Sequence, residues 1–258
     1  MSSRATLVTQ LRDLGVEPGS VLLVHTAFGS IAPVDGGPDA FIDALVEARG
    51  PEGTLVMPSW TDEDDEPFDP LSTDVEDHLG VVADTFWRRP GVVRGDHPFA
   101  VAALGPLADE VAGAPFVLPP HGPGSGIDRV HDLDGWVLLA GVDHDANTTI
   151  HLAELAAGAP YRQPKHITVL EDGGPKRIDY GENDSCCRGF VMAGGWLRGR
   201  GLLREGLLAG GRGMLARSRD VVATVVDELR DDPCRFLCER GTCDECDRSW
   251  ASVVESQP

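Results

Sequence analysis

Aromatic side chains make up only 6% of the 258 residues, and basic ones are outnumbered, 22 Lys and Arg against 42 Asp and Glu. No apolar run is long enough to span a bilayer, and no internal repeat or low-complexity tract interrupts the chain. The opening stretch Met1-Ser2-Ser3-Arg4-Ala5-Thr6-Leu7 has no apolar signal core. These absences argue against a membrane protein and against export, and a cytoplasmic location is expected. A formal charge of -20 repels nucleic acid and anionic lipid alike. What such a field attracts is a cation, and a polycationic ligand fits it. The six cysteines, in a reducing compartment, point to thiol or metal chemistry rather than disulfides.

The chain is long enough to bury a substantial core without staples, while 31 glycines and 19 prolines give loops a large share of the architecture. Buried strands are expected at 20–25, 53–60 and 136–142, where apolar residues run without alternation. Helical periodicity covers 3–14, 39–48, 79–88, 190–198 and 217–229, and Gly15 ends the first of these. His166 to Tyr180 reads as a hairpin turned by Glu171-Asp172-Gly173-Gly174. The pattern is that of an α/β protein, one domain over 1–258, with its C-terminal third helical.

The chemistry concentrates after the third strand. Asp143-His144-Asp145-Ala146-Asn147-Thr148-Thr149-Ile150-His151-Leu152-Ala153-Glu154 begins at a strand end and passes, with Asn147 or Thr148 in the cap region, into a helix. His151 and Glu154 lie three apart on one helical face, so the carboxylate can orient the imidazole and raise its basicity. That is the wiring of a general base. A solvated surface pair is the commoner fate of such spacing, but strand-to-helix junctions are where open α/β sheets place ligands. Thr149 or a helix N-terminal N–H is a candidate oxyanion donor. Thr61-Asp62-Glu63-Asp64-Asp65-Glu66-Pro67 and Gly181-Glu182-Asn183-Asp184 form two acidic loops, each able to meet ammonium groups. His121 sits in a Pro/Gly loop, and the small-residue loop with Thr26 and Ser30 follows the first buried strand. Cys243-Asp244-Glu245-Cys246 supplies half of a zinc site, or else free thiols or a redox pair. Its partners are either Cys186 with Cys187 or donors from Cys234 and Cys238.

Val24-His25-Thr26-Ala27-Phe28, Thr54-Leu55-Val56-Met57-Pro58-Ser59-Trp60, His97-Pro98-Phe99-Ala100 and above all the motif ending in His151 and Glu154 resemble the antibiotic N-acetyltransferase family, the aminoglycoside 3-N-acetyltransferases. The likeness runs from about Leu11 to Trp250 and is nearest the branch acting on apramycin, gentamicin and tobramycin. It implies an α/β/α sandwich with a central mixed sheet and a small hairpin and helical C-terminal portion. It also implies acetyl-CoA as co-substrate, an aminoglycoside as acceptor, and direct transfer in a ternary complex with His151 as base and Glu154 behind it. Asp64, His121, Glu182 and Asp184 are implied to face the aminoglycoside, and Thr26, Ser30 and His97 are assigned to the coenzyme. The resemblance favours Cys186, Cys187, Cys243 and Cys246 as a structural zinc set. Neither cysteine of the 186/187 pair has a partner His at a telling spacing. The sequence leaves the oligomeric state open between monomer and homodimer. A non-catalytic protein sequestering a cationic metabolite is the alternative. A metal-dependent hydrolase lacks any HExxH motif.

Overall fold

The computed structural model describes residues 1–171 and 173–255, so Asp172 in the expected hairpin turn lies outside the described residues. Its strands in chain order are β1 (Val21–Thr26), β2 (Thr54–Pro58), β3 (Val93–Arg94), β4 (Val101–Leu104), β5 (Trp136–Ala140), β6 (Gln163–Glu171), β7 (Gly174–Glu182), β8 (Arg204–Leu208) and β9 (Gly211–Arg217). The helices are α1 (Arg4–Leu14), α2 (Phe28–Ile31), α3 (Gly37–Arg49), α4 (Gly80–Trp87), α5 (Ala108–Ala112), α6 (Gly126–Asp132), α7 (Thr149–Ala157), α8 (Met192–Gly199), α9 (Ser218–Asp231) and α10 (Asp244–Glu255). Seven strands form one mixed sheet in the order β3-β4-β2-β1-β5-β9-β8, and β6 and β7 form a separate hairpin.

The three strands read as continuous apolar runs occupy the centre. β1 pairs in parallel with β2 on one side and β5 on the other, and helices cover both faces, which is why no polar alternation survives in their sequences. Leu22, Val24, Leu55 and Leu138 face the core shared with α1, α3 and α4. The intervening residues Leu23, Val56, Val137 and Leu139 pack with Val111, Ile127 and Val130 of α5 and α6. A third core joins Ile150 of α7 to Leu197 of α8, Val221 and Val225 of α9, and Phe190 and Phe236. The layered α/β arrangement matches the expected fold class.

Two local departures have physical causes. The C-terminal third, expected to be helical, also holds the β8–β9 hairpin between α8 and α9, and β9 pairs antiparallel with β5. Glycine-rich GRGMLAR carries little strand propensity of its own and becomes a strand because β5 offers it a partner. The C-terminal CxxC region, outside the helices read from periodicity, starts another one, α10.

Because β2 and β5 flank β1 on opposite sides, the chain diverges at the carboxyl end of β1. This is the topological position where open sheets leave a crevice. Gly141, directly after β5, makes the turn there with φ +73, and an added Cβ would stand 2.9 Å from Ala27 O, Ile31 Cγ2 and Ser30 Cβ. Gly141→Ala should therefore destabilise the protein by about 1–3 kcal/mol through strain and crowding, read as a lower denaturant midpoint at unchanged slope. An unchanged midpoint contradicts this account of the turn.

Candidate active site

His151 lies in the first turns of α7 because Asn147 fixes where that helix begins. Asn147 Oδ1 accepts from the Thr149 N–H at 3.1 Å, and its Nδ2 donates to His144 Nδ1 at 3.2 Å. One turn into the helix, His151 Nδ1 donates to Glu154 Oε2 at 3.0 Å. The other carboxylate oxygen of Glu154 accepts from the hydroxyl of Tyr161, which is 0% exposed, while Glu154 itself is 1% exposed. A buried carboxylate that accepts from Nδ1 fixes the tautomer and leaves Nε2 as the working nitrogen. Burial opposes a charge on His151, but its hydrogen bonds to Cys187 and Glu154 outweigh this and hold its pKa well above 6.5. The neighbouring histidines behave in the opposite sense. Burial pushes His25 and His121 down to about 3 and His144 to about 4.

A cavity of about 770 Å³ opens on one side of His151, at the ends of all three central strands. Thr26, Pro58, Gly141, Thr148 and Cys187 are among its walls, and its size suits a small-molecule or cofactor arm. On the other side of His151, rings link the base to the hairpin: His121 lies 5.9 Å from His151, Phe99 lies 6.3 Å from His121, and Tyr180 lies 6.0 Å from Phe99. Tyr180 and Glu182 are both on β7. Burial, followed by the nearby charge of Asp184, raises Glu182 to about 6 against the attraction of His151 and Lys165. Asp64 approaches from the loop after β2, its carboxyl raised by burial and lowered by His166 and Lys165. Asp184 is paired with Lys165 Nζ at 2.7 Å, and His166 Nε2 donates to Asp65 Oδ1 at 2.8 Å. The hairpin thus carries an ammonium group to one acidic loop and an imidazole N–H to the other.

Residues 23–230 match the protein family described as Aminoglycoside 3-N-acetyltransferase. The chain belongs to this family of acetyltransferases. Aminoglycoside N(3)-acetyltransferase IV of Salmonella sp is 55% identical over 234 residues, 91% of this chain and 90% of the relative. Among solved structures, a histidine-to-alanine variant of AAC(3)-IVa in complex with a gentamicin matches with a TM-score of 0.96 at 52% identity, covering 97% of both chains. The corresponding apramycin complex matches at 0.89 and 51% identity, over 95% of this chain and 98% of the other.

Within this acetyltransferase, His151, Glu154, His121, Glu182 and Thr26 come together around one point, with Asp64 and Asp184 at the hairpin side. Three residues expected at the site do not line the cavity. Thr149 has a buried hydroxyl without a partner, and its N–H is taken by Asn147. Thr148 is the threonine on the cavity wall, its Oγ1 3.3 Å from His25 Nε2. The helix turn decides this, since adjacent residues point about 100° apart. Ser30 is exposed on α2 and does not line the cavity, and His97 packs its ring 5.8 Å from Phe116.

The expected metal set also needs correction. The sulfurs of Cys186, Cys238, Cys243 and Cys246 all lie within 4.8 Å of one another, so Cys238 replaces Cys187. Vicinal side chains diverge: Cys186 faces the tail, whereas Cys187, at φ +56 where a 3₁₀ turn begins, directs its sulfur to within 3.9 Å of His151 Nε2. This is the Cys–His contact that no linear spacing announced, since 36 residues separate the two. Tyr161, Thr148 and His25 were missed as well. His25 and Thr148 stand within quoted stretches, but as a strand residue and a cap candidate, and Tyr161 lies in no motif.

In a histidine NMR titration that starts well above neutral pH and ends at about pH 5, His151 should gain its proton with a midpoint above 6.5, while His25, His121 and His144 stay neutral. A midpoint for His151 at or below 6.5 would show that the contacts with Glu154 and Cys187 do not govern it.

Proposed function

We propose that the enzyme transfers the acetyl group of acetyl-CoA directly to the 3-amino group of the 2-deoxystreptamine ring of an aminoglycoside, in a ternary complex, conferring resistance. The observation that carries this reading is the Tyr161–Glu154–His151 relay standing between a cavity and a group of carboxylates. An aminoglycoside amine is largely protonated near neutral pH and has to shed a proton before its lone pair can attack. In its neutral form, which gains population as pH rises through a pKa held well above 6.5, His151 takes that proton at Nε2, and Glu154 stabilises the imidazolium that results. Thr148, met by neutral His25, is the donor assigned to the oxyanion that develops on the thioester carbonyl. Glu182, Asp184 and Asp64 receive the ammonium groups of the drug, and a drug ammonium can take the place Lys165 holds on Asp184. The uncharged walls around Thr26, Pro58 and Val142 suit the neutral pantetheine arm, whereas Glu76, Asp145 and Glu245 would keep phosphates at the rim. Among the described residues no helix is long and apolar enough to cross a membrane. Action in the cytoplasm accords with six unpaired cysteines.

His151→Ala should lower kcat by about 10²–10⁴-fold, the share of a general base, with a folded protein by circular dichroism. Retention of more than about a tenth of kcat removes His151 from that role. Glu182→Gln should raise KM for the aminoglycoside by an amount corresponding to about 1.5–3 kcal/mol for a charge-assisted contact, with KM for acetyl-CoA nearly constant. Since Glu182 loses its charge below about 6, the same KM should climb as pH falls through that value.

We also infer a structural zinc ion on Cys186, Cys238, Cys243 and Cys246. Four thiolates around Zn²⁺ at about 2.3 Å stand about 3.8 Å apart, and the Cys186 sulfur is 3.5 Å from those of both Cys238 and Cys246. Zinc there would join α10 to the loop after β7. Metal analysis of protein purified without chelators should give about one equivalent, lost in Cys238→Ser and kept in Cys187→Ser. Retention in the first, or loss in the second, contradicts this ligand set.

A further inference from the structure

Cys187 has no part in the transfer just described, yet its surroundings are those of a nucleophile. Its sulfur is 3.9 Å from His151 Nε2, and behind that nitrogen stand Glu154 and Tyr161. A thiol, a base and a carboxylate that orients the base is the arrangement by which cysteine nucleophiles are activated. The backbone supports the same assignment. Cys187 has φ +56, one of four non-glycine residues with positive φ among those described, and it starts the 3₁₀ turn Arg188–Val191 that leads into α8. A strained turn opening a helix is how other folds present a nucleophile above its neighbours. The thiol's remaining contact is the carbonyl of Ser185, at 3.5 Å. Cys187 is half-buried and lines the cavity beside His151 and Thr148.

Distance places it in competition with the substrate amine. An amine giving its proton to His151 has to sit about 3 Å from Nε2, and the thioester carbon about 3–3.5 Å from that amine. The Cys187 sulfur occupies nearly the same shell around Nε2. We propose that Cys187 is a second nucleophile of this site, taking the acetyl group from acetyl-CoA when no amine is bound.

The inference rests on the reading that acetyl-CoA enters this cavity. His151 Nε2 takes the thiol proton as the Cys187 sulfur adds to the thioester carbonyl carbon. The adduct expels CoA thiolate, which recovers the proton from His151. One C–S bond forms and one breaks, nothing is oxidised or reduced, and the products are acetyl-Cys187 and free CoA. Water then opens the enzyme thioester to acetate and restores the thiol, so the enzyme is also a slow acetyl-CoA hydrolase.

Purified enzyme incubated with acetyl-CoA and no aminoglycoside, quenched in acid and digested, should yield an acetylated peptide carrying the label on Cys187. Chromatographic assay should show aminoglycoside-independent CoA release that falls at least tenfold in Cys187→Ser and in His151→Ala. A preparation that acetylates an aminoglycoside but leaves Cys187 unlabelled, with CoA release unchanged in Cys187→Ser, overturns the inference and leaves the general-base assignment standing. Label on Cys186 instead of Cys187 overturns it too. The base assignment fails separately, if His151→Ala still acetylates the drug at more than about a tenth of the wild-type rate.

Discussion

A carboxylate as buried as Glu154 is tolerated only where donors replace the water it has lost. Here they are the Tyr161 hydroxyl on one oxygen and His151 Nδ1–H on the other. That single requirement orients the working imidazole, chooses its tautomer and raises its basicity. It also ties α7 to the segment that follows it, because Tyr161 comes from beyond the helix end at Gly158. Glu154 stays in place because α7 is packed against α9 in the third core, whose Val221 and Val225 meet Ile150 and Leu152.

The second constraint is the distribution of a large negative charge. The acidic loops do not simply repel one another, since the β6–β7 hairpin inserts Lys165 and His166 between them and pairs each with a carboxylate. Such half-exposed pairs are worth little in stability, and for that reason an incoming ammonium can exchange with Lys165 at small cost. Glu182, deeper and without a lysine of its own, keeps a raised pKa and a stronger demand for a cation.

The C-terminal segment completes the cleft from behind. Ser249 Oγ donates to the Asp184 carbonyl, Gln163 Nε2 donates to Ser249 Oγ at 3.1 Å, and the Arg162 N–H donates to Ser252 Oγ at 3.0 Å. With the four sulfurs of the cysteine cluster, these bonds fix the loop 183–187, which carries Asp184 at one end and Cys187 at the other. The carboxylate proposed to meet the drug, the proposed second nucleophile and a proposed zinc ligand therefore share one short stretch of chain. Its conformation is set by α10, far along the sequence.

Local pattern determined what local physics controls. The apolar runs of β1, β2 and β5, the end of α1 at Gly15, the hairpin and the His151–Glu154 pair are legible because strand burial, helix termination and i,i+3 adjacency all act within a few residues. The acidic loops were readable for a similar reason, since charge is a property of composition. What only the tertiary structure decided are contacts between segments far apart in the chain. The Tyr161 hydroxyl was one of only two such groups available, yet nothing near it marked its target. Thr148 was favoured over Thr149 by the helical phase at an Asn147 cap, and β9 became a strand because β5 was there to pair with it. Cys186 and Cys187 are adjacent and chemically identical, so no sequence rule could assign one to the sulfur cluster and the other to the base. The left-handed turn at Cys187 made that choice, because it sends two neighbouring side chains in different directions.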